Sequence, residues 1–410
     1  MHSPTAIRNR VPAPSSRMMS GMHEPQGYTQ NALRPGVVEF AYGEPDPALL
    51  PVGLVRSAAA LAMDQFGPGA ISYGQGAGPA ALRDQLARRI AAREGREVPP
   101  AEILVTGGIS QALDQVLTVF AEPGDVVLVE CPTYNLALGI VRDYPVQIAG
   151  IPMDEGGLDV AVLEAELRRL RAAGRRVRLL YTIPTFHNPA GVSLGASRRR
   201  RLLELAAEYD FIVVEDDVYR ELAFDDEAPP ALWALDPAAP VIRLGSFSKS
   251  LSPGLRVGWM NAPAALTERL LGCGMVESGG CVSQYAASVV AALLQQGGYE
   301  EHVESLRTAY RARRDALAAA LRTHAPAGCH FVLPAGGFFI WLDLPEGLSS
   351  TALLPYAEAR HVSFAPGARF CTEGDDRHRR LAFTLYGQDE LADGARRLGE
   401  AIRAALDAPR

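Results

Sequence analysis

The sequence predicts an α/β fold, in which a mostly parallel sheet carries helices on both faces and a smaller α+β domain is attached. From about residue 80 to 262, short apolar runs alternate with amphipathic helical stretches, as in an α/β sheet. After residue 284 the pattern changes to a long helical tract followed by short strands. At 410 residues the chain also exceeds what one core usually supports. We therefore expect a large domain at residues 51–284 and a small domain formed by 35–50 and 285–410.

The large domain is predicted from six strand candidates, which are short, apolar and rich in β-branched residues: Ile103–Thr106, Val126–Glu130, Arg178–Thr182, Phe211–Glu215, Val241–Gly245 and Val257–Met260. Helical patterns fall between them at Ser110–Phe120, Val160–Ala173 and Ala196–Tyr209. Most of the strands should be parallel and buried. Ligands of such sheets bind at the carboxyl ends of the strands, so we expect the chemistry there.

The small domain is predicted from a different pattern of residues. A helical tract covers Tyr285–His324 with an interruption near Gly297, and strands follow around Gly337–Leu344 and Val362–Ala365. A closing helix is expected near Asp389–Leu406. At the other end, residues 1–34 are rich in proline and lack the apolar core of a signal peptide. We interpret them as a mobile leader.

Composition excludes several classes of protein. A net charge of −7 argues against a nucleic-acid partner, and the run Arg198–Arg201 is interpreted as a solvated helix face. No stretch approaches 18 uninterrupted apolar residues, so we expect no membrane span. The five cysteines are scattered without a C-x-x-C pair, which predicts neither a metal site nor a redox site and fits a reducing cytoplasm.

One lysine stands out after the strand that ends at Gly245. Lys249 lies among the hydroxyls of Ser246 and Ser248, with Arg256 seven residues further on. A partly desolvated lysine beside another cation can act as a nucleophile, and the hydroxyls and the guanidinium could bind phosphate. Taken alone, a solvated loop lysine would be the simpler interpretation.

Carboxylates end another predicted strand, in the sequence Glu215-Asp216-Asp217 followed by Tyr219. Buried carboxylates need partners. A carboxylate beneath a pyridine nitrogen would keep that nitrogen protonated and make the ring an electron sink. The same cluster could equally bind magnesium.

Two further turns follow strands. Asn188 precedes Pro189, where it could be a turn former or an amide donor to a phenolate oxygen, with Tyr219 as a second donor. The turn Gly107-Gly108-Ile109-Ser110 opens a helix, whose free N–H groups attract phosphate. A Gly-Gly turn is weak evidence by itself, but it could complete a phosphate cup with Ser246, Ser248 and Arg256.

These four segments, in this order and spacing, resemble the fold-type-I aminotransferases of class I/II over roughly residues 38–403, and most closely the branch with 2-aminoadipate-type enzymes and MocR regulators. The resemblance implies pyridoxal 5'-phosphate as cofactor, with Lys249 as the Schiff-base lysine and Asp216 as partner of the ring nitrogen. It implies that Tyr219 and Asn188 bind the phenolate oxygen, that Tyr134 stacks on the ring, and that Asp217 points elsewhere.

The same resemblance implies a substrate site and a partner subunit. Tyr73 is similar to the tyrosine that reaches the phosphate of a neighbouring subunit, which implies a homodimer with shared sites. Arg380 matches the arginine that binds the substrate α-carboxylate, and we prefer it to Arg379 because it precedes a Leu-x-Phe strand pattern. Gly43 is expected to touch the substrate. Ile109 stands where the family often has a hydroxyl, which leaves Ser110 and the backbone to bind phosphate.

The function implied is transfer of an amino group from an α-amino acid to a 2-oxo acid by a ping-pong mechanism. A pyridoxal-phosphate enzyme of another reaction type, such as a lyase, decarboxylase, racemase or oxidase, is the alternative, because one fold supports several reactions. A cofactor-sensing regulator is a weaker alternative, since residues 1–34 are too short for a helix-turn-helix unit. A magnesium enzyme would leave Lys249, Arg256 and Asn188 unexplained.

Overall fold

The computed structural model describes residues 33–372 and 376–408, and the predicted leader at residues 1–34 lies outside them except for Leu33 and Arg34. The described strands are β1 (Val38–Glu39), β2 (Ile103–Thr106), β3 (Val126–Cys131), β4 (Gln147–Asp154), β5 (Gly157–Leu158), β6 (Val177–Thr182), β7 (Ile212–Asp216), β8 (Val241–Ser246), β9 (Gly258–Asn261), β10 (Phe339–Asp343), β11 (Val362–Ser363), β12 (Ala365–Pro366) and β13 (His378–Ala382).

The described helices are α1 (Val52–Phe66), α2 (Ala80–Glu94), α3 (Ile109–Phe120), α4 (Asn135–Arg142), α5 (Val160–Ala172), α6 (Ala196–Tyr209), α7 (Leu232–Leu235), α8 (Ala264–Leu271), α9 (Gly274–Gly279), α10 (Gln284–Gln296), α11 (Tyr299–His324), α12 (Ser350–Glu358) and α13 (Gln388–Leu406). Within the described segments, none of them combines the length and apolarity needed to cross a lipid bilayer.

The large sheet has the strand order β2-β9-β8-β7-β6-β3-β4-β5. The strands β8, β7, β6, β3 and β4 are parallel, whereas β9 runs antiparallel to both of its neighbours. The prediction of a mostly parallel sheet is therefore confirmed. Strand β4 was not predicted, because only Ile151 among its eight residues is buried and no apolar run marks it.

Helices cover both faces of this sheet, as predicted. One face packs against α1, α2, α5, α6 and α10, and the other against α3, α4 and α8. Alternation along β7 assigns its side chains to these faces: Val213 belongs to the first core, and Ile212 and Val214 belong to the second. By the same alternation, the carboxylates at the end of this strand point to different faces of the sheet.

A second, smaller sheet has the antiparallel order β10-β13-β12 and packs against α11, α12 and α13. Its core also takes in Phe186, Tyr219 and Phe224, which come from the loops after β6 and β7. Helix α10 belongs to the large core, although the prediction assigned residues from 285 onward to the small domain. The domain boundaries stay a prediction.

Candidate active site

The predicted motif segments meet at one edge of the large sheet. Strands β3, β6, β7 and β8 end there, and the turn after β2 joins them because Thr106 and Ser246 both lie opposite Gly258 on β9. The small sheet approaches this edge through β13 and the loop around Gly43. The topology therefore brings together residues that are more than 300 positions apart in the sequence, such as Gly43 and Arg380.

Lys249 is partly buried at the centre of this edge. Its Nζ donates a hydrogen bond to the carbonyl oxygen of Gly43 at 2.8 Å and lies 5.2 Å from the centroid of the Phe338 ring. Burial lowers the pKa of Lys249 to about 8, and the charges of Arg380 and Arg256 act in the same direction. The amine is therefore more often neutral, and more nucleophilic, than that of a free lysine.

A polar cup lies beside Lys249. Ser246 and Ser248 are hydrogen-bonded through their hydroxyl oxygens at 2.8 Å, and Arg256 Nη2 donates to the carbonyl oxygen of Gly107 at 3.0 Å. Gly108 has a φ of +93° and precedes α3, which begins without a side-chain cap. A Cβ at Gly108 would lie 2.7 Å from Arg256 Nη2, so only glycine leaves this cup open.

The first turn of α3 contains Ile109, which is partly buried, and Ser110, which is exposed. An α-helix leaves its first N–H groups without partners inside the helix, and these groups favour an anion. The backbone of this turn thus adds donors to the cup. The apolar side chain of Ile109 brings no hydroxyl.

Near Lys249, Arg380 and Asn188 form a second polar group. Arg380 Nη1 donates to Asn188 Oδ1 at 2.9 Å, and Nη2 donates to the carbonyl oxygen of Ala41 at 2.8 Å. Arg380 Nε has no hydrogen-bond partner among the described residues. Burial lowers the pKa of Arg380 to about 10, which leaves the guanidinium charged at neutral pH.

Two aromatic side chains complete this region. The Asn188 side chain lies close enough to the Tyr219 hydroxyl to lower the pKa of that phenol, but burial raises the pKa far above its usual value, so that the phenol stays protonated. Tyr134 stands at the start of α4, where burial raises its pKa to about 12. Tyr134 is also close enough to Arg380, Asp216 and Arg256 to be affected by their charges.

The three carboxylates at the end of β7 separate onto the two faces of the sheet. Asp216 lies on the face of α3 and α4, where Oδ2 accepts a hydrogen bond from the Tyr181 hydroxyl at 2.6 Å. Asp217 lies on the other side, with its Oδ2 at 2.7 Å from Arg243 Nη2. Glu215 accepts from the backbone N–H groups of Leu232 and Trp233. Adjacent acids in the sequence therefore have different surroundings.

Tyr73 lies apart from the residues described so far. Its side chain is 93% exposed, and its segment packs through Gly74 against Gly280. Tyr73 lines a depression on the surface together with residues 276–280. Within one subunit, this position does not join the polar groups around Lys249.

Sequence reasoning missed a buried contact between His187 and Glu130. His187 Nε2 lies 3.0 Å from Glu130 Oε2, and each side chain is only 1% exposed. Glu130, near the end of β3, also accepts hydrogen bonds from Thr182 Oγ1 and from the backbone of Ile183. The pair therefore fixes the chain next to Asn188. The only signal in the sequence was a glutamate at the end of a buried strand.

The interpretation of Arg198–Arg201 as a solvated face is wrong for Arg199, which is fully buried. Its guanidinium donates to the carbonyl oxygens of Leu194 and Pro184 and to Thr185 Oγ1. Arg199 lies on the same face of α6 as three buried apolar residues, Leu202, Leu203 and Ala206. The helical spacing of Arg199 from these apolar residues would have predicted that it is buried. Arg199 holds the loop that leads to Asn188.

Several known proteins with similar sequences and structures are aminotransferases. The model of the family described as aminotransferase class I and II matches residues 36–377. Aromatic-amino-acid aminotransferase 1 of Thermococcus litoralis is 37% identical over 373 residues, which cover 90% of this chain and 89% of that protein. The 2-aminoadipate transaminase of Thermus thermophilus is 37% identical over 379 residues, covering 91% of this chain and 92% of that protein. The solved structure of Pyrococcus horikoshii kynurenine aminotransferase is similar at a TM-score of 0.87, with 37% identity over 91% of this chain and 92% of that one.

Proposed function

We propose that Lys249 binds the cofactor in this chain, which belongs to the class I and II aminotransferase family and is a pyridoxal-phosphate-dependent aminotransferase. The observation that carries this role is the burial of Lys249 Nζ near the charges of both Arg256 in the cup and Arg380, with its pKa lowered to about 8 by burial. The bound cofactor supplies an aldehyde that binds amines and a protonated ring that withdraws electrons.

The cup has the donors that a phosphate group needs. Ser246, Ser248 and Arg256 would hold the phosphate together with the backbone of Gly108, Ile109 and Ser110. The space that a Cβ at Gly108 would fill lies directly beside the Arg256 guanidinium. Hydroxyl, guanidinium and helix N-terminal groups all donate hydrogen bonds, which suits a dianion.

The remaining cofactor contacts follow from the same arrangement. Asp216 would accept a hydrogen bond from the ring nitrogen, and Tyr134 would pack on the ring face. Asn188 and Tyr219, whose side chains lie close together, would donate to the phenolate oxygen. Because Arg380 already holds Asn188 Oδ1, the NH₂ group of Asn188 remains as the donor.

The substrate is an α-amino acid in one half of the reaction and a 2-oxo acid in the other. Arg380 would bind the α-carboxylate through its planar guanidinium, beside Asn188 and next to the backbone at Gly43. When it is not bound to the cofactor, Lys249 Nζ would accept the proton from the substrate Cα. A lysine with a pKa of about 8 can both accept and return a proton near neutral pH.

Chemical trapping tests the assignment of Lys249. Reduction of the holoenzyme with borohydride, followed by peptide mapping, should place the pyridoxyl group on the peptide that contains Lys249. The matched variant Lys249→Ala should yield no adduct and no turnover. An adduct on another lysine would overturn the role proposed for Lys249.

We also propose a homodimer in which Tyr73 completes the site of the partner subunit. Several apolar side chains near Tyr73 are exposed, and they include Ile71, Val282 and Tyr285. Val282 lies against the phosphate cup, since a Cβ at Gly107 would be 3.5 Å from Val282 Cγ1. An apolar surface that borders the cup would allow a second copy to place its Tyr73 there.

Mixing inactive subunits tests this arrangement. If Tyr73→Phe impairs the enzyme, mixtures with Lys249→Ala should regain activity, because a hybrid dimer contains one intact site. Sedimentation should show a dimer at working concentration, and a monomer that is fully active would refute the proposal.

We further propose a cytoplasmic location on the basis of the scattered cysteines. Fractionation that recovers the chain outside the cytoplasm would refute that.

A further inference from the structure

Tyr181 and Asp216 form a buried pair on neighbouring strands. Tyr181 on β6 lies opposite Val214 on β7, so Asp216, two residues further along, points to the same face. The Tyr181 hydroxyl donates to Asp216 Oδ2 at 2.6 Å. Only 1% of Tyr181 and 3% of Asp216 is exposed. Water therefore cannot replace this hydrogen bond without a rearrangement of the core.

The pair has a fixed direction. Burial raises the pKa of the Tyr181 phenol well above its usual value, so the phenol keeps its proton and must donate. Burial also raises the pKa of Asp216 to about 6, while the hydrogen bonds from Tyr181 and from the Val218 N–H oppose this rise. Two neighbours have smaller effects on the pKa of Asp216: Asp217 raises it, and His187 lowers it.

The two carboxylate oxygens of Asp216 differ in their partners. Oδ2 is held by the phenol, whereas Oδ1 accepts a longer bond, of 3.3 Å, from the Val218 backbone. A carboxylate that is held at one oxygen has a fixed orientation, and its other oxygen can accept a further hydrogen bond. The geometry thus leaves Oδ1 as the oxygen that a ring nitrogen would meet.

We propose that Tyr181 is a positioning residue of this aminotransferase, which fixes the Asp216 carboxylate and keeps it charged opposite the ring nitrogen of the cofactor. This inference rests on the role proposed above for Asp216. Without the phenol, the Asp216 carboxylate would bind a proton more readily and would favour a protonated ring nitrogen less. A bound cofactor ring would then withdraw fewer electrons, and Lys249 Nζ, when bound to it, would be more basic.

The chain contains a matched control for this pair. The buried Tyr299 hydroxyl donates to Glu221 Oε2 and is also bonded to Ser250, although Glu221 itself is only partly buried. Tyr299→Phe therefore removes the same kind of phenol–carboxylate bond at a carboxylate that has no role toward the cofactor. A purely structural function of Tyr181 would make the two Phe variants behave alike.

The experiment compares the holoenzymes of Tyr181→Phe and Tyr299→Phe. In Tyr181→Phe, we expect the pH midpoint of the bound cofactor's visible absorption band to rise by about one unit. We expect kcat to fall about tenfold, with a smaller change in KM, which is the size expected for one hydrogen bond to a charged group. Tyr299→Phe should lower the Tm but leave the midpoint and kcat unchanged.

A double variant separates this inference from the role of Asp216. If Tyr181 acts through Asp216, adding Tyr181→Phe to Asp216→Asn should change kcat by less than about twofold. An unchanged midpoint and kcat in Tyr181→Phe, or a full additional loss in the double variant, would overturn the inference and leave Asp216 in place. If Asp216→Asn itself leaves the absorption band unchanged, the role proposed for Asp216 fails first.

Discussion

The end of β7 and the middle of β13 both place adjacent like charges on opposite faces of a strand, but they compensate those charges differently. On β7, Asp216 faces Tyr181, and Asp217 forms an ion pair with Arg243. On β13, Arg380 is bonded to Asn188 and Ala41, whereas all three guanidinium nitrogens of Arg379 lack hydrogen-bond partners among the described residues. Arg379 is nevertheless fully buried.

The difference shows that alternation along a strand determines which face a charged side chain points to, but not which partner it meets there. In both strands, alternation sends one member of each pair toward the candidate active site. The other member must then be neutralised by whatever packs on its face. Asp217 pairs with Arg243, which also pairs with Glu94 in a network of buried charges, but Arg379 meets the apolar small core near Phe364. A buried charge that serves the site is thus accompanied by a second buried charge. The second charge is paired in the case of Asp217, whereas that of Arg379 has no hydrogen-bond partner among the described residues.

The largest effect is expected from substituting the two aspartates at the end of β7 one at a time. Asp216→Asn should keep the fold but lower kcat by roughly 10²- to 10³-fold, because the charge that protonates the ring is lost. Asp217→Asn should retain most of kcat while lowering the free energy of unfolding by about 3–5 kcal/mol, since Arg243 loses a buried partner. Steady-state kinetics and chemical unfolding of both variants would check this. The reverse assignment of the two losses would show that Asp217 faces the cofactor.

A smaller effect is expected on β13. Arg380→Lys should lower kcat/KM by roughly ten- to hundredfold for every amino-acid and 2-oxo-acid substrate, because the ammonium loses one directed bond to the shared carboxylate. Arg379→Lys is the matched control and should leave kcat/KM unchanged, since it points to the other face. A loss that is limited to one class of side chain would mean that Arg380 recognises the side chain instead.

The smallest effect is a gain in stability. Arg379→Leu should raise the free energy of unfolding by about 1–4 kcal/mol, because an apolar side chain replaces a buried charge that has no hydrogen-bond partner in the described part of the chain. Burial lowers the pKa of Arg379 to about 9 in the folded chain. The penalty of the charge is therefore complete below pH 9 and decreases as the pH rises above it, so the gain should be larger at pH 7 than at pH 10. Denaturant unfolding at both pH values checks the sign, and a destabilised Arg379→Leu would show that Arg379 contributes to the fold.

The sequence predicted the strands that carry the site because their apolar runs are bounded by distinctive turns. The predicted Ile103–Thr106 and Ala196–Tyr209 agree with β2 and α6 at both ends. It failed at β4, whose half-exposed side chains form no run, and at Arg199, where a run of like residues hid a position facing the core. Tyr181 was missed for a third reason. Its importance depends on the register between β6 and β7, which no local pattern contains.

By itself, the sequence determined the class of fold, the order of the strands along the chain and the residue types at the strand ends, because periodicity and turn chemistry are local properties. Only the tertiary structure decided which adjacent residue faces the site, as with Asp216 and Asp217, and which side chains lie within hydrogen-bond distance, as with Arg380 and Asn188. Hydrogen bonds and ion pairs weaken steeply with distance and misalignment. Such contacts are therefore fixed by strand register and helix packing, which join residues that are far apart in the chain.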